Sequence, residues 1–364
     1  VGLCKDGKRG IGWKEGELPP MGVNGVKNLF RCRWLASLLC LTLLWAACFC
    51  PAAQAYNADD EIELGRKVSK ELEKHYKLSK DKAQQDRVER LGRALAAASE
   101  RPELPYTFKV LDVNEINALA LPGGPVYVFR GLADYMSDDE LAGVIGHEIG
   151  HIVKRHSIKQ MEKSMNMGLL MLILLRDKGM PLQSVIQQLV MASYSREDER
   201  EADYQGFVLT SQAGFNPYSM QRSLEKLAKV HDAPDYGLFS THPEPDARVN
   251  LLKGYIRKNA IRPEVVKTGK NFAIIDGSWS YAADEGVAYE LAGALYRVSR
   301  RVQLQADLFI QDSDGSNMRI YYDDIPVWTV TPQEAAVAGK TVQELAHTYI
   351  AAFRNWVEAR QGLP

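Results

Sequence analysis

The most chemically pointed stretch of the chain is His147-Glu148-Ile149-Gly150-His151, two histidines and a glutamate within five residues. On a helix of 3.6 residues per turn, positions four apart lie roughly 40° apart around the axis, so both imidazoles leave one face and can bind one metal ion. Glu148 stands roughly 100° from His147, within reach of a water next to that metal without ligating it. Two nitrogen ligands and a general base are the parts of a zinc hydrolase.

Those residues serve only if they sit on a helix, and the flanks predict one. Ser137-Asp138-Asp139-Glu140 reads as a capping box, with Ser137 as N-cap and Glu140 at the third helical position. Leu141, Val144, Ile145, Ile149, Ile152 and Val153 follow at helical spacing, so the metal-binding face is half buried. An open catalytic zinc needs a third protein ligand. A second extended zinc motif would place Gly at 154 and His at 157, but the chain has Lys154 and Ser157, and His156 reads as a solvated helix histidine. The ligand is then a carboxylate, and the richest supply is Ser195 to Asp203 on a second helix. Glu199 and Asp203 share a face at i and i+4, but so do Glu197 and Glu201, and periodicity does not choose between the pairs. Tyr106 to Val110 and Val126 to Phe129 read as strands, joined through Asn117-Ala118-Leu119-Ala120 and the turn Leu121-Pro122-Gly123-Gly124. A strand just before the metal helix forms a cleft wall able to take substrate by β-augmentation at Asn117, Ala118, Leu119 and Ala120.

Composition sets the frame around this site. Hydrophobic residues at 46% and charged residues at 25% are ordinary for a globular protein, and a formal net charge of -1 gives no sign of nucleic-acid binding. Residues 1–20 read as an over-extended start, and 21–55 as a signal peptide. Lys27, Arg31 and Arg33 precede the apolar run Trp34 to Phe49, with a small-residue cleavage site at Ala53-Gln54-Ala55. The alternative is an uncleaved leader that anchors the chain to a membrane. All five cysteines, at 4, 32, 40, 48 and 50, precede that cut, so every metal ligand beyond it is His, Asp or Glu. The apolar run Gly168 to Leu175 spans roughly 12 Å as a helix, too short for a bilayer. It reads as a flap over the cleft, a membrane-touching hairpin or a buried helix. From Arg262 onward the chain predicts a strand at Phe272 to Ile275, a helix at Val287 to Arg300, and a meander at Leu304 to Ile310, Arg319 to Tyr322 and Val327 to Val330. A helical tail opens at Thr331-Pro332 and ends near Arg360.

The stretches NALALPGG, HEIGH, SREDEREAD and STHPEPDAR, in that order, resemble one zinc metalloprotease family. It comprises the Ste-type CAAX prenyl endopeptidases, the HtpX and Oma-type membrane proteases, and their soluble periplasmic BepA-like relatives. The resemblance covers roughly Asp59 to Asn259 and implies that Glu199 is the third zinc ligand, with Asp203 as its partner. It further implies a role at the zinc for His242, as a ligand in the open position or as a stabiliser of the oxyanion. Arg248 falls in the active-site wall. The tetratricopeptide repeats of the BepA-like branch are absent from the sequence pattern. The expected fold is α+β: a mainly helical zincin (gluzincin) domain at 56–262 with a small sheet at the cleft, then an α+β accessory module at 263–364. The expected function is a periplasmic, one-zinc endopeptidase acting on unfolded or misassembled envelope proteins. The rival is a chaperone or assembly factor with a latched zinc site.

Overall fold

The computed structural model describes residues 57–164, 194–229, 242 and 245–361. The proposed leader and the run Gly168 to Leu175 lie outside them. Residues 58–364 cluster as one compact unit. Two amphipathic helices open it, α1 (Ala58–His75) and α2 (Lys82–Ala97), the second capped by the Asp81 side chain on the Gln84 N–H. A three-stranded sheet follows: β1 (Thr107–Leu111), β2 (Ala118–Ala120) and β3 (Pro125–Phe129). Its order is β1-β3-β2, with β1 parallel and β2 antiparallel to the central β3. β2 falls within the stretch predicted to take substrate and lies at the sheet edge.

The short α3 (Arg130–Tyr135) leads to α4 (Asp138–Val153), which carries the His-Glu-His pentapeptide. Both arms of the capping box are made, Glu140 N–H to the Ser137 hydroxyl at 3.4 Å and Ser137 N–H to the Glu140 carboxylate at 3.0 Å. Every residue from Glu140 to Val153 is buried, so α4 is a central helix rather than a half-exposed one. Then come α5 (His156–Ser164), α6 (Arg196–Gln212), α7 (Ser219–Ala228) and α8 (Pro245–Lys258). α6 lies against α4 at very short range. A Cβ on Gly150 would stand 3.0 Å from the Ala202 backbone, and one on Gly206 would stand 3.0 Å from the His147 nitrogen.

Beyond α8 the chain forms two antiparallel three-stranded meanders and three helices. The first meander is β4 (Glu264–Thr268), β5 (Asn271–Asp276) and β6 (Trp279–Ala283); the second is β7 (Phe309–Asp314), β8 (Asn317–Tyr322) and β9 (Ile325–Val330). Between them lie α9 (Glu285–Ser299) and a 3-10 turn at Ala306–Leu308, so the strand expected to begin at Leu304 begins at Phe309. The tail is two helices, α10 (Pro332–Val337) and α11 (Val342–Gln361), separated at Gly339, whose φ is 65°. Helices interleaved with three small sheets make the fold α+β. One core joins Val88, Leu91, Val126, Val128, Leu141, Ile145 and Leu209. A second runs from Phe207, Tyr218 and Leu252 through Leu295 and Phe309 to Phe353 and Trp356. α6 contributes to both. Among the described residues, no helix is long and apolar enough to cross a membrane.

Candidate active site

The close α4–α6 approach lets side chains four residues apart on each helix meet across the seam. His147 and His151 project from α4, Glu199 and Asp203 from α6, and all four are 0–1% exposed. His242 and Arg248 join them at 2% and 4%. Of the two acidic pairs that sequence periodicity left open, Glu199 and Asp203 face the histidines, while Glu197 and Glu201 are exposed.

Four donor atoms converge: Nε2 of His147, Nε2 of His151, Nδ1 of His242 and the Glu199 carboxylate, all within 4.8 Å of one another. The two histidines of α4 bring their Nε2 atoms to 3.0 Å, and His147 Nε2 lies 3.2 Å from His242 Nδ1. Glu199 stands 2.8 Å from His242 Nδ1 and 3.5 Å from each of the other two Nε2 atoms. Four ligands about 2.0–2.2 Å from a tetrahedral zinc lie roughly 3.3–3.6 Å apart, so this cluster has the size of such a site with slight contraction. The proton arrangement agrees. His147 Nδ1 lies 3.0 Å from Asp203 Oδ1, and a carboxylate only accepts, so the proton is on Nδ1 and the Nε2 lone pair points into the cluster. Burial also pushes His151 well below its ordinary pKa, keeping it a neutral donor. The residues therefore fit a divalent metal.

Glu148 sits beside this set, 1% exposed, and its Oε1 has no hydrogen-bond partner among the described residues. The nearest basic atom is His242 Nε2 at 3.6 Å. Burial raises the Glu148 carboxyl above its usual range, with His242 and His147 pulling the other way. A buried carboxylate with an unpaired oxygen next to a metal-sized cluster is a proton acceptor in want of a donor. Burial would also raise Asp203, but Arg248 outweighs it and holds the carboxyl below its ordinary value. The Arg248 guanidinium makes a fork to Asp203, at 2.8 and 2.7 Å, and its Nη1 lies 2.9 Å from Glu199 Oε2. It thereby ties together both acids of α6.

The predicted substrate strand is also near. Ala118–Ala120 pairs with β3 through Ala118↔Val128, Leu119↔Tyr127 and Ala120↔Val126, and packs beside α4. The Asn117 carbonyl accepts the Phe129 N–H at 2.9 Å, extending the β2–β3 pairing by one residue and leaving the outer side of β2 untouched by it.

His156 departs from expectation. It is 1% exposed rather than solvated, with Nδ1 2.9 Å from His151 Nδ1. The offset of five residues does not keep two side chains on one helix face, and here α4 ends first. Arg155 has φ 59°, and the chain restarts as α5 in a new direction. Tyr194 was missed as well. Its ring stacks on His151 with centroids 3.9 Å apart, and its hydroxyl pairs with Ser157 at 2.8 Å. The only signal in the sequence was an aromatic residue immediately before the N-cap Ser195.

Fold and site together define a mainly helical scaffold around a buried cluster of three histidines and one carboxylate that could hold a metal ion, a kind of donor set that metal-dependent hydrolases use. Residues 82–256, from the start of α2 into α8, match Peptidase family M48. Similar proteins include the metalloprotease LoiP of Escherichia coli (strain K12), 29% identical over 43% of this chain and 66% of LoiP. The metalloprotease YcaL of the same organism is 31% identical over 42% of this chain and 63% of its own length. The beta-barrel assembly-enhancing protease of Yersinia pestis is 29% identical over 70% of this chain and 56% of that protein. The chain thus spans less than two thirds of the length of each of these relatives.

Proposed function

We propose that this chain is an exported zinc endopeptidase of the gluzincin type, with one zinc held by His147, His151 and Glu199. The observation that carries the reading is the convergence of those donors beside the buried, unpaired Glu148 oxygen. Zinc in this cluster supplies Lewis-acid activation of a water molecule and of the scissile carbonyl. Glu148 accepts the proton of the attacking water at Oε1 and hands it to the departing amine nitrogen. Asp203 fixes His147 in the tautomer that offers Nε2, and Arg248 fixes Asp203 and Glu199. The open edge at Asn117, Ala118, Leu119 and Ala120 accepts an extended peptide by main-chain hydrogen bonds.

The leader-like residues 21–55 support a periplasmic location, with membrane anchoring as the other outcome of the same segment. The similarity to the beta-barrel assembly-enhancing protease of Yersinia pestis supports unfolded or misassembled envelope proteins as substrates. Membrane-surface contact through Gly168 to Leu175 remains part of this proposal, as does the division into a protease segment at 56–262 and an accessory segment at 263–364.

Replacing Glu148 by Gln leaves the donor set intact, so zinc binding persists while casein cleavage falls by about 10²–10⁴-fold, the usual contribution of a general base. Cleavage at the wild-type rate by the zinc-loaded variant would refute the mechanism.

A second reading rests on His242. Its Nδ1 stands among the donors and its Nε2 faces Glu148, which supports a fourth ligand that latches the site. A latched centre suits an assembly factor or chaperone that cuts seldom. Casein cleavage by His242→Ala separates the two: release of activity means a latch on a protease, whereas inactivity of both zinc-loaded forms means a binding role.

A further inference from the structure

Both histidines of the pentapeptide need a partner for the ring nitrogen that faces away from the cluster. His147 has Asp203; the partner of His151 is not a carboxylate but another imidazole. His151 Nδ1 lies 2.9 Å from His156 Nδ1, and His156 Nε2 lies 3.1 Å from Glu201 Oε2. Only one proton arrangement satisfies the whole chain when His151 offers Nε2 to the cluster. Glu201, a carboxylate, accepts, so His156 carries its proton on Nε2 and presents a bare Nδ1. That bare nitrogen accepts the proton-bearing Nδ1 of His151, which leaves the His151 Nε2 lone pair free.

We propose that His156, backed by Glu201, is a positioning residue that fixes the tautomer and ring orientation of His151. The relay rests on the metal-site reading above. It completes a symmetry between the helices: each α4 histidine is held by an acid of α6, one directly and one through His156. The backbone supports it in two places. The left-handed Arg155 ends α4 and returns α5 so that its first residue, His156, reaches the His151 ring, in a conformation that residues other than glycine rarely adopt. Tyr194 closes the other side, stacked on the His151 ring at 23° and bonded to Ser157, the neighbour of His156. His151 is thus held in its plane by stacking and in its rotation by a hydrogen bond.

The test is zinc affinity of the full chain, measured by competition with a chromophoric chelator, with thermal melting alongside. His156→Leu removes the acceptor and should weaken zinc binding by about 10–100-fold, the usual effect of losing such a partner. His156→Asn places an amide oxygen near the former Nδ1 and should restore most of that loss. Equal weakening by Leu and Asn, or none by either, overturns the proposal. Should His156→Leu fail to fold, Glu201→Ala serves instead, since Glu201 is 46% exposed at its side chain and packs little. It should weaken zinc binding several-fold with an unchanged melting temperature, and unchanged affinity overturns the relay. Wild-type protein that binds no zinc defeats the metal reading itself. Tight wild-type binding with indifferent variants defeats the relay alone.

Discussion

Arg248 reaches both buried acids of α6, with a fork to Asp203 and a contact to Glu199, which makes its replacement a sharp test of the site. Its side chain is 4% exposed, against 0% for Asp203 and 1% for Glu199. In Arg248→Met the volume is roughly kept, but Asp203 loses a two-toothed ion pair and Glu199 loses a contact at 2.9 Å. Breaking a buried pair by removing one partner costs about 3–5 kcal/mol, because the remaining charge stays buried. Against a total stability of about 5–15 kcal/mol, this is a large fraction. The loss is read by urea unfolding of chelator-treated protein. In zinc-loaded protein it should shrink, since the bound cation neutralises Glu199. Arg248→Met/Asp203→Leu removes the stranded carboxylate and should recover about 1–3 kcal/mol relative to additivity, the coupling typical of groups in contact. A loss below about 1 kcal/mol in the single variant, or strict additivity in the double, would refute the view of Arg248 as the counter-charge of the centre.

Two further outcomes follow from geometry away from Arg248. Gly150→Ala gains about 1 kcal/mol of helix propensity but drives a methyl to within 3.0 Å of the Ala202 backbone, an overpacking that costs about 1–3 kcal/mol. Calorimetry should show a net loss of stability together with weaker zinc binding; a raised melting temperature would mean that α6 has room to move. At the α1–sheet junction, Glu73 accepts from Lys109 and Tyr127, each at 2.6 Å. Burial would raise its pKa, yet these partners together hold it below 4.5. A depressed folded pKa means stability that is full above 4.5 and is lost as pH falls through the folded value. Glu73→Gln should therefore be less stable than wild type at neutral pH, with the gap closing on acidification below 4.5. A gap independent of pH, measured by unfolding at several pH values, would count against the pairing.

The parts of the molecule legible in the sequence were those governed by local rules. The Ser137 box and the apolar spacing after it specified α4. Choosing between Glu199/Asp203 and Glu197/Glu201 needed more than period, since both pairs are four apart. A usable signal was present: Ala202 and Gly206, the small residues of α6, fall on the Glu199/Asp203 face, and small residues mark where another helix comes close. His156 was misread because a five-residue offset assumes an unbroken helix, and the break at Arg155 is a backbone event with no glycine to announce it. β4 and β6 went unseen for another reason. Glu264–Thr268 shows no alternation in burial and Trp279–Ala283 alternates over only five residues, although Gly269 and Gly277, both at positive φ, mark the turns that pair them with β5.

Because α6 lends Phe207 to one core and Leu209 to the other, it is a party wall between them. Its register is therefore set partly by packing that continues to Trp356, far along the chain from the histidines. Free-energy reciprocity then runs both ways through that wall. An ion held by Glu199 should therefore slow hydrogen exchange in α9 and α11, and a lesion in the last helix should weaken ion binding.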